Sequence, residues 1–354
     1  MSGSRNKVRS VLIFVLKASI SCGILLFLIY QAWQTRDANG NPLLEQLWRG
    51  PKDYGALVVG FGFVFAAVLG TILRWRELVR VLGLNADIWG TLRIGYIGYL
   101  FNLAPMGIVG GDLLKAWLLM RREKESPDAA PLLLASVFVD RMIGLYALFM
   151  MGSIVILSMG TLWNPNVSDT LWTIALATLI AWGVGTIAAL AVLLPKFKNP
   201  VARPNQPQWV ETLAKIAQYI RVYRHHPWAL VWATVASLGV HFFFAVAIYF
   251  IAAGIWTEQK YPSFLEHLYI SPVSMSTSAI PLPVGPYEMA LDLLYKDVAG
   301  LAGQGLAVAL AYRLVCLIIA GLGMIFYFSA RDEIQESMKN TSEIMEKQTL
   351  ENTK

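Results

Sequence analysis

The 354-residue sequence is 56% hydrophobic and 15% charged, with a mean hydropathy of +0.53, more apolar than a soluble globule carries. This composition indicates a polytopic membrane protein, and the net charge of +6 belongs to basic flanks around hydrophobic spans rather than to a nucleic-acid surface. The two cysteines, Cys22 and Cys316, lie in separate apolar runs and offer neither a disulfide framework nor a metal site.

In chain order, Arg5, Lys7 and Arg9 precede Val11 to Tyr30, an apolar run of bilayer-crossing length. It is too long for a signal-peptide core and no small-residue cleavage site follows it, so it is expected to be an uncleaved anchor with a cytoplasmic N-terminus. Tyr54 to Leu73 is the second span, with Arg74, Arg76 and Arg80 marking its cytoplasmic end.

Ile88 to Arg122 is apolar but broken in its middle by Pro105, Gly107, Gly110 and Gly111, with the acid Asp112 next. Basic residues flank it on both sides, which predicts a return to the same face: a re-entrant helical hairpin whose non-helical tip is buried in protein or faces water. A single kinked span is the alternative. Ala129 to Met159 and Leu171 to Leu194 are the third and fourth spans, and the loop between them, free of Lys and Arg, is expected outside.

Residues 195–227 turn basic again, and WVETLAKIAQYIRVY within them has the period of a helix lying on the cytoplasmic surface. Trp228 to Ile255 is the fifth span, Phe264 to Val298 a second interrupted segment containing AIPLPVGPYEMALDLL, and Leu301 to Ser329 the sixth span. The remainder, 331–354, reads as a polar cytoplasmic tail.

Most of the 29 Lys and Arg residues fall in the segments this topology places in the cytoplasm: the termini, 74–129 and 195–227. That is the bias the positive-inside rule requires. The predicted fold is therefore an all-α membrane protein with six full spans and two re-entrant helical hairpins. Units at about 54–159 and 228–329 run in opposite senses, as inverted repeats.

Arg141 in the third span and Arg313 in the sixth sit equally deep from opposite faces, hence near the bilayer centre. An arginine there costs about 2.5–3.5 kcal/mol even on the lenient insertion scale, so each needs a partner and a protein-facing or wet surface. Asp112, Glu288 and Asp140 are the candidate acids. Two readings stay open. The pairs are static clamps between each hairpin and the next span, with Asp112 also capping the helix it opens; or the arginines, with backbone N–H groups beside Gly110, Gly111 and Gly285, attract an anionic headgroup. His241 reads as a hydrogen-bonded packing residue.

Asn102, Pro105, Gly110, Gly111 and Asp112 followed by LLKAWLLMRR, VDR at 139–141, PLPVGPYEMAL with Glu288, and YRL at 312–314 together resemble the lysylphosphatidylglycerol synthase transmembrane family. The resemblance spans roughly residues 11–330, and the second motif departs from the family pattern in being shortened and lacking later glycines. It implies a single flippase-like domain over 1–330 that handles lipid. The implied partners are phosphatidylglycerol, an aminoacylated derivative or a polyprenyl phosphate, with Asn102, Gly110, Gly111, Asp112, Asp140, Arg141, Glu288 and Arg313 as the translocation residues.

Lysyl transfer is not expected, because the synthase members carry a large soluble domain that has no counterpart in 331–354; a lipid synthase on a separate chain is the expected arrangement if one exists. A non-transporting partner of such a synthase and a glycosyl-transfer component remain alternatives. The sequence before Asp112 is V-G-G-D rather than the G-x-G-D of intramembrane aspartyl proteases, and D-x-D, HExxH, P-loop and nucleophile-elbow motifs are missing. The expectation is a protein without catalysis, cofactor or metal.

Overall fold

A computed structural model describes residues 19, 22–24, 26–30, 33–34, 43–103, 108–122, 129–165, 167–193, 218–277, 280, 282 and 284–329. The described elements are helical throughout. Short α1 (Leu43–Arg49) is followed by α2 (Tyr54–Val81), α3 (Ile88–Leu103), α4 (Ile108–Arg122), α5 (Ala129–Met159), α6 (Asp169–Leu193), α7 (Pro227–Ile255), α8 (Phe264–Ser276), α9 (Pro286–Ala299) and α10 (Gln304–Ser329). Five of these, α2, α5, α6, α7 and α10, are long and apolar enough to cross a membrane, so the chain is a multi-pass membrane protein. The expected first span, 11–30, is helical at 19, 22–24 and 26–30 and otherwise lies outside the described residues.

Local chemistry sets the helix ends. Asp53 accepts the Ala56 N–H to start α2, and Ser263 with Glu266 forms a reciprocal capping box on α8. Prolines suited to a first turn open α7 and α9, while Gly300 at φ 71° closes α9 in the left-handed region. Exposed aromatic residues near helix ends, Trp48, Tyr54, Trp89, Trp163 and Trp228, suit the headgroup level of a bilayer.

The molecule is centred on α2 and α7, which run antiparallel. The Asp53 N–H donates to the Gly254 carbonyl at 3.0 Å, Gly60 faces Ala247 and Ile251, Gly70 faces Val240, and Arg74 bonds Ser237. Glycine lets the backbones approach where a Cβ at Gly60 would come within 3.0 Å of Ile251.

Around this pair, α3 packs on α10 and α8 on α5, so the first helix of each broken segment lies against the long helix that ends the other half. Gly323 on α10 marks one crossing, where a Cβ would sit 2.2 Å from the Tyr96 carbonyl oxygen; Gly152 on α5 faces Val273 at the other. A cluster of Val155, Ile156, Ile248, Ile251, Ile270, Leu291 and Val308 ties α5 and α7–α10 together, and Trp75, Ile94, Leu119 and Leu133 do the same for α2–α5.

Three expectations change. The second span does not end before Arg74, because α2 continues to Val81 and buries Arg74 inside the bundle. Asp112 does not cap α4, which begins a turn earlier at Ile108. Of the predicted cytoplasmic surface helix, residues 218–220 are helical and Arg221–His225 form a 3-10 turn, while 194–217 lie outside the described residues. The Tyr223 hydroxyl in that turn donates to the Leu78 carbonyl at 2.8 Å, fastening the approach to α7 onto α2. Burial pushes its phenol pKa above the usual value.

Candidate functional site

The two broken segments each bring a carboxylate against an arginine of the following long helix. On α4, the folding back that makes this possible depends on Gly98 and Gly111. A Cβ on Gly111 would meet the Gly98 carbonyl oxygen at 2.0 Å and Asn102 Oδ1 at 2.5 Å, so any larger residue would force α3 and α4 apart. Gly98 in turn faces Gly111 and Lys115, so α3 and α4 run antiparallel. Asn102 Oδ1 is buried without a hydrogen-bond partner among the described residues. Gly110 lies half-buried on α4 beside this contact, and residues 104–107, including Pro105, are outside the described ones.

One turn into α4, Asp112 is buried and divides its two oxygens. Oδ2 accepts from Arg141 Nε, and Oδ1 lies 3.1 Å from Lys115 Nζ. Lys115 also reaches Asp140 Oδ2 at 3.9 Å and places its ammonium 4.6 Å from the centre of the Trp75 ring. Asp140 is held by Arg74, whose Nε donates to Oδ1 at 2.8 Å and whose Nη1 donates to Ser237 Oγ at 2.6 Å. The result is a continuous ionic chain, Arg74–Asp140–Lys115–Asp112–Arg141, joining α2, α5 and α4 and touching α7. Nearby, His241 is within 2.9 Å of the Gly144 carbonyl, a packing role on α7.

The second seat uses fewer groups. Glu288, at the third position of α9, is fully buried; Oε1 accepts from Arg313 Nε at 2.6 Å, and Oε2 accepts the Gly285 N–H at 2.7 Å. Gly285 has φ 115°, a backbone region that strains a residue with a Cβ, and its position against Ile24 brings the N-terminal helix to this seat. The Arg313 guanidinium lies 5.7 Å from the Tyr287 ring centre.

Both arginines give only Nε to the acid, among the described residues. The acids are sealed, with Asp112 and Glu288 side chains 5% and 0% exposed, whereas the Arg141 and Arg313 side chains are 44% and 27% exposed. The same apolar surroundings recur. Leu113, Phe138 and Met142 are exposed beside Arg141, and Met289, Leu310 and Leu314 beside Arg313. A partly exposed arginine, whose guanidinium is able to hold an oxyanion in two parallel hydrogen bonds, therefore has exposed apolar side chains as its helix neighbours at both places.

The structure thus brings Asp112 to Arg141 and Glu288 to Arg313, as charge balance required, and places Asp140 with Arg74. Gly111, next to Asp112 in sequence, packs against Asn102. Arg74, Lys115 and Ser237 were missed by sequence reasoning. Lys115 carried a readable signal, three positions after Asp112 on one helix face, whereas Arg74 was hidden among Arg76 and Arg80. Among the described residues no group of three His, Cys, Asp or Glu could hold a metal.

No curated protein matches the sequence significantly. The family described as "Lysylphosphatidylglycerol synthase TM region" matches residues 15–323, a stretch that contains both arginine seats and every described helix up to the last turns of α10. The chain belongs to the lysylphosphatidylglycerol synthase transmembrane-region family.

Proposed function

We propose that this protein binds an anionic lipid headgroup at the two arginine seats and carries it across the cytoplasmic membrane without catalysing a reaction. The observation that carries the reading is a partly exposed arginine side chain flanked along its helix by exposed apolar side chains at both Arg141 and Arg313. A lipid has that same pairing of charge and hydrocarbon, and an arginine fork suits a phosphate. Phosphatidylglycerol, an aminoacylated derivative and a polyprenyl phosphate all have it.

The inverted-repeat reading is supported by the antiparallel α2 and α7 and by the reciprocal packing of α3 on α10 and α8 on α5. It is supported also by the even spacing of corresponding helix starts: Tyr54 with Pro227, Ile88 with Phe264, Ile108 with Pro286, and Ala129 with Gln304. Two halves so related exchange conformations to open a shared path first to one face and then to the other. In this reading α3–α4 and α8–α9 are the re-entrant hairpins, and both termini face the cytoplasm, as the charge distribution favours.

Arg141→Lys and Arg313→Lys test it in proteoliposomes. Lysine keeps a cation beside each carboxylate but loses the fork. Translocation of labelled phosphatidylglycerol is expected to fall about ten-fold in each variant, a barrier change of about 1.4 kcal/mol, while thermal stability in detergent stays close to the parent. Unchanged translocation in both variants would make the pairs static clamps, whereas no translocation by the parent itself would make the protein a non-transporting partner of a lipid synthase.

A further inference from the structure

The two seats differ in one charge. Among the described residues, the first groups three cations, Arg74, Lys115 and Arg141, with two carboxylates, Asp112 and Asp140. The second groups one cation with one carboxylate, Arg313 with Glu288. In the first seat the free oxygen of the acid is taken by an ammonium; in the second it is taken by the neutral N–H of Gly285. At the position of α9 that corresponds to Lys115, three residues after the acid, stands buried Leu291. Beside Arg313 the flanking groups are the Tyr287 ring and the helix start.

We propose that the seats are chemically inequivalent: the first, with Lys115 behind Arg141, selects headgroups of net negative charge, and the second accepts a phosphate without discriminating by net charge. This rests on the reading of the arginines as lipid seats and adds the residue that sets selectivity. Lys115 is itself buried and already bonded to Asp112, so it acts at a distance. Its ammonium offsets the Asp112 charge that would otherwise cancel Arg141, and the surplus positive charge is felt at the guanidinium edge, where low dielectric strengthens it. Lys115 is therefore a selectivity residue rather than a direct ligand. In the second seat Arg313 and Glu288 cancel, so a zwitterionic and an anionic phospholipid, each with one phosphate, look alike there.

The experiment is native mass spectrometry of the full chain in detergent, offered phosphatidylglycerol and phosphatidylcholine with identical acyl chains. The parent is expected to retain phosphatidylglycerol preferentially. Lys115→Gln should lower the phosphatidylglycerol-to-phosphatidylcholine ratio about ten-fold, and Lys115→Arg should keep it. Arg313→Gln should weaken retention of both lipids by a similar factor. Should Lys115→Gln fail to fold, Arg141→Gln, which leaves Asp112 paired to Lys115, must by itself abolish the preference. A ratio indifferent to Lys115 and Arg141, or one that shifts as much with Arg313→Gln, overturns the inequivalence while leaving lipid binding intact. No retained phospholipid of either kind overturns the underlying reading as well.

Discussion

The seat at Asp112 and the seat at Glu288 share a geometry and differ in reinforcement. In each, a buried carboxylate on the second helix of a broken segment takes Nε of an arginine from the next long helix. The spare oxygen meets a charged lysine in one half and a backbone amide in the other. Asp140 and Arg74 extend the first seat onto α2 and α7, whereas aromatic contact with Tyr287 borders the second. The shared part is what two half-exposed arginines need wherever they lie in a bilayer. The unshared part decides how each half responds when a charge is removed.

The largest effect should come from the extension. Asp140→Ala leaves Arg74 buried with only Ser237 and a backbone carbonyl for partners, and Lys115 loses its second acid. A loss of about 3–5 kcal/mol is expected, as for a buried pair deprived of one member, measured by thermal unfolding in detergent. A change below about 1 kcal/mol would mean that the ionic chain is solvated and that the first seat is no more reinforced than the second.

Removing the arginines sharpens the contrast. Arg313→Ala strands the fully buried Glu288 with an amide alone, for which about 3 kcal/mol is expected. Arg141→Ala leaves Asp112 beside Lys115, so about 1 kcal/mol is expected, the size of one net hydrogen bond. Adding Glu288→Gln to Arg313→Ala should recover most of the loss, because a neutral amide oxygen can still accept the Gly285 N–H. Equal costs at the two arginines in unfolding experiments would erase the difference between the seats.

A smaller effect is steric. Gly111→Ala pushes a methyl into the Gly98 carbonyl and Asn102, and a cost of about 1–3 kcal/mol follows from overpacking. Gly183→Ala on α6 meets nothing within 4 Å, so it should be neutral or stabilising by up to about 1 kcal/mol through helix propensity. Parallel melting curves of the two variants read this difference directly; a harmless Gly111→Ala would show that the close approach of α3 and α4 is not needed to set Asp112.

Much of this was legible in the sequence because membrane helices announce themselves by length. Ala129 to Met159 was bounded correctly at both ends, and Trp228 to Ile255 nearly so. The pairing of Asp112 with Arg141 and of Glu288 with Arg313 followed from the cost of leaving any of them alone in hydrocarbon. What escaped was the depth of Arg74, since a cluster of arginines at the end of an apolar run looks the same whether the helix stops or continues for two more turns. The helix start at Ile108 escaped for a related reason: an acid after two glycines resembles a cap, and only the backbone shows that α4 has already begun. The two roles of Lys115 require three helices to be assembled before they appear.

The most direct measurement is an experimental density map of the full chain in nanodiscs of phosphatidylglycerol, with the retained lipid identified by mass spectrometry. Headgroup density is expected within hydrogen-bonding reach of the outer nitrogens of Arg141 and Arg313, with acyl density along Phe138 and Met142 on one side and Leu310 and Leu314 on the other. Lipid headgroups confined to the two membrane surfaces, with both guanidiniums covered by protein, would contradict the account.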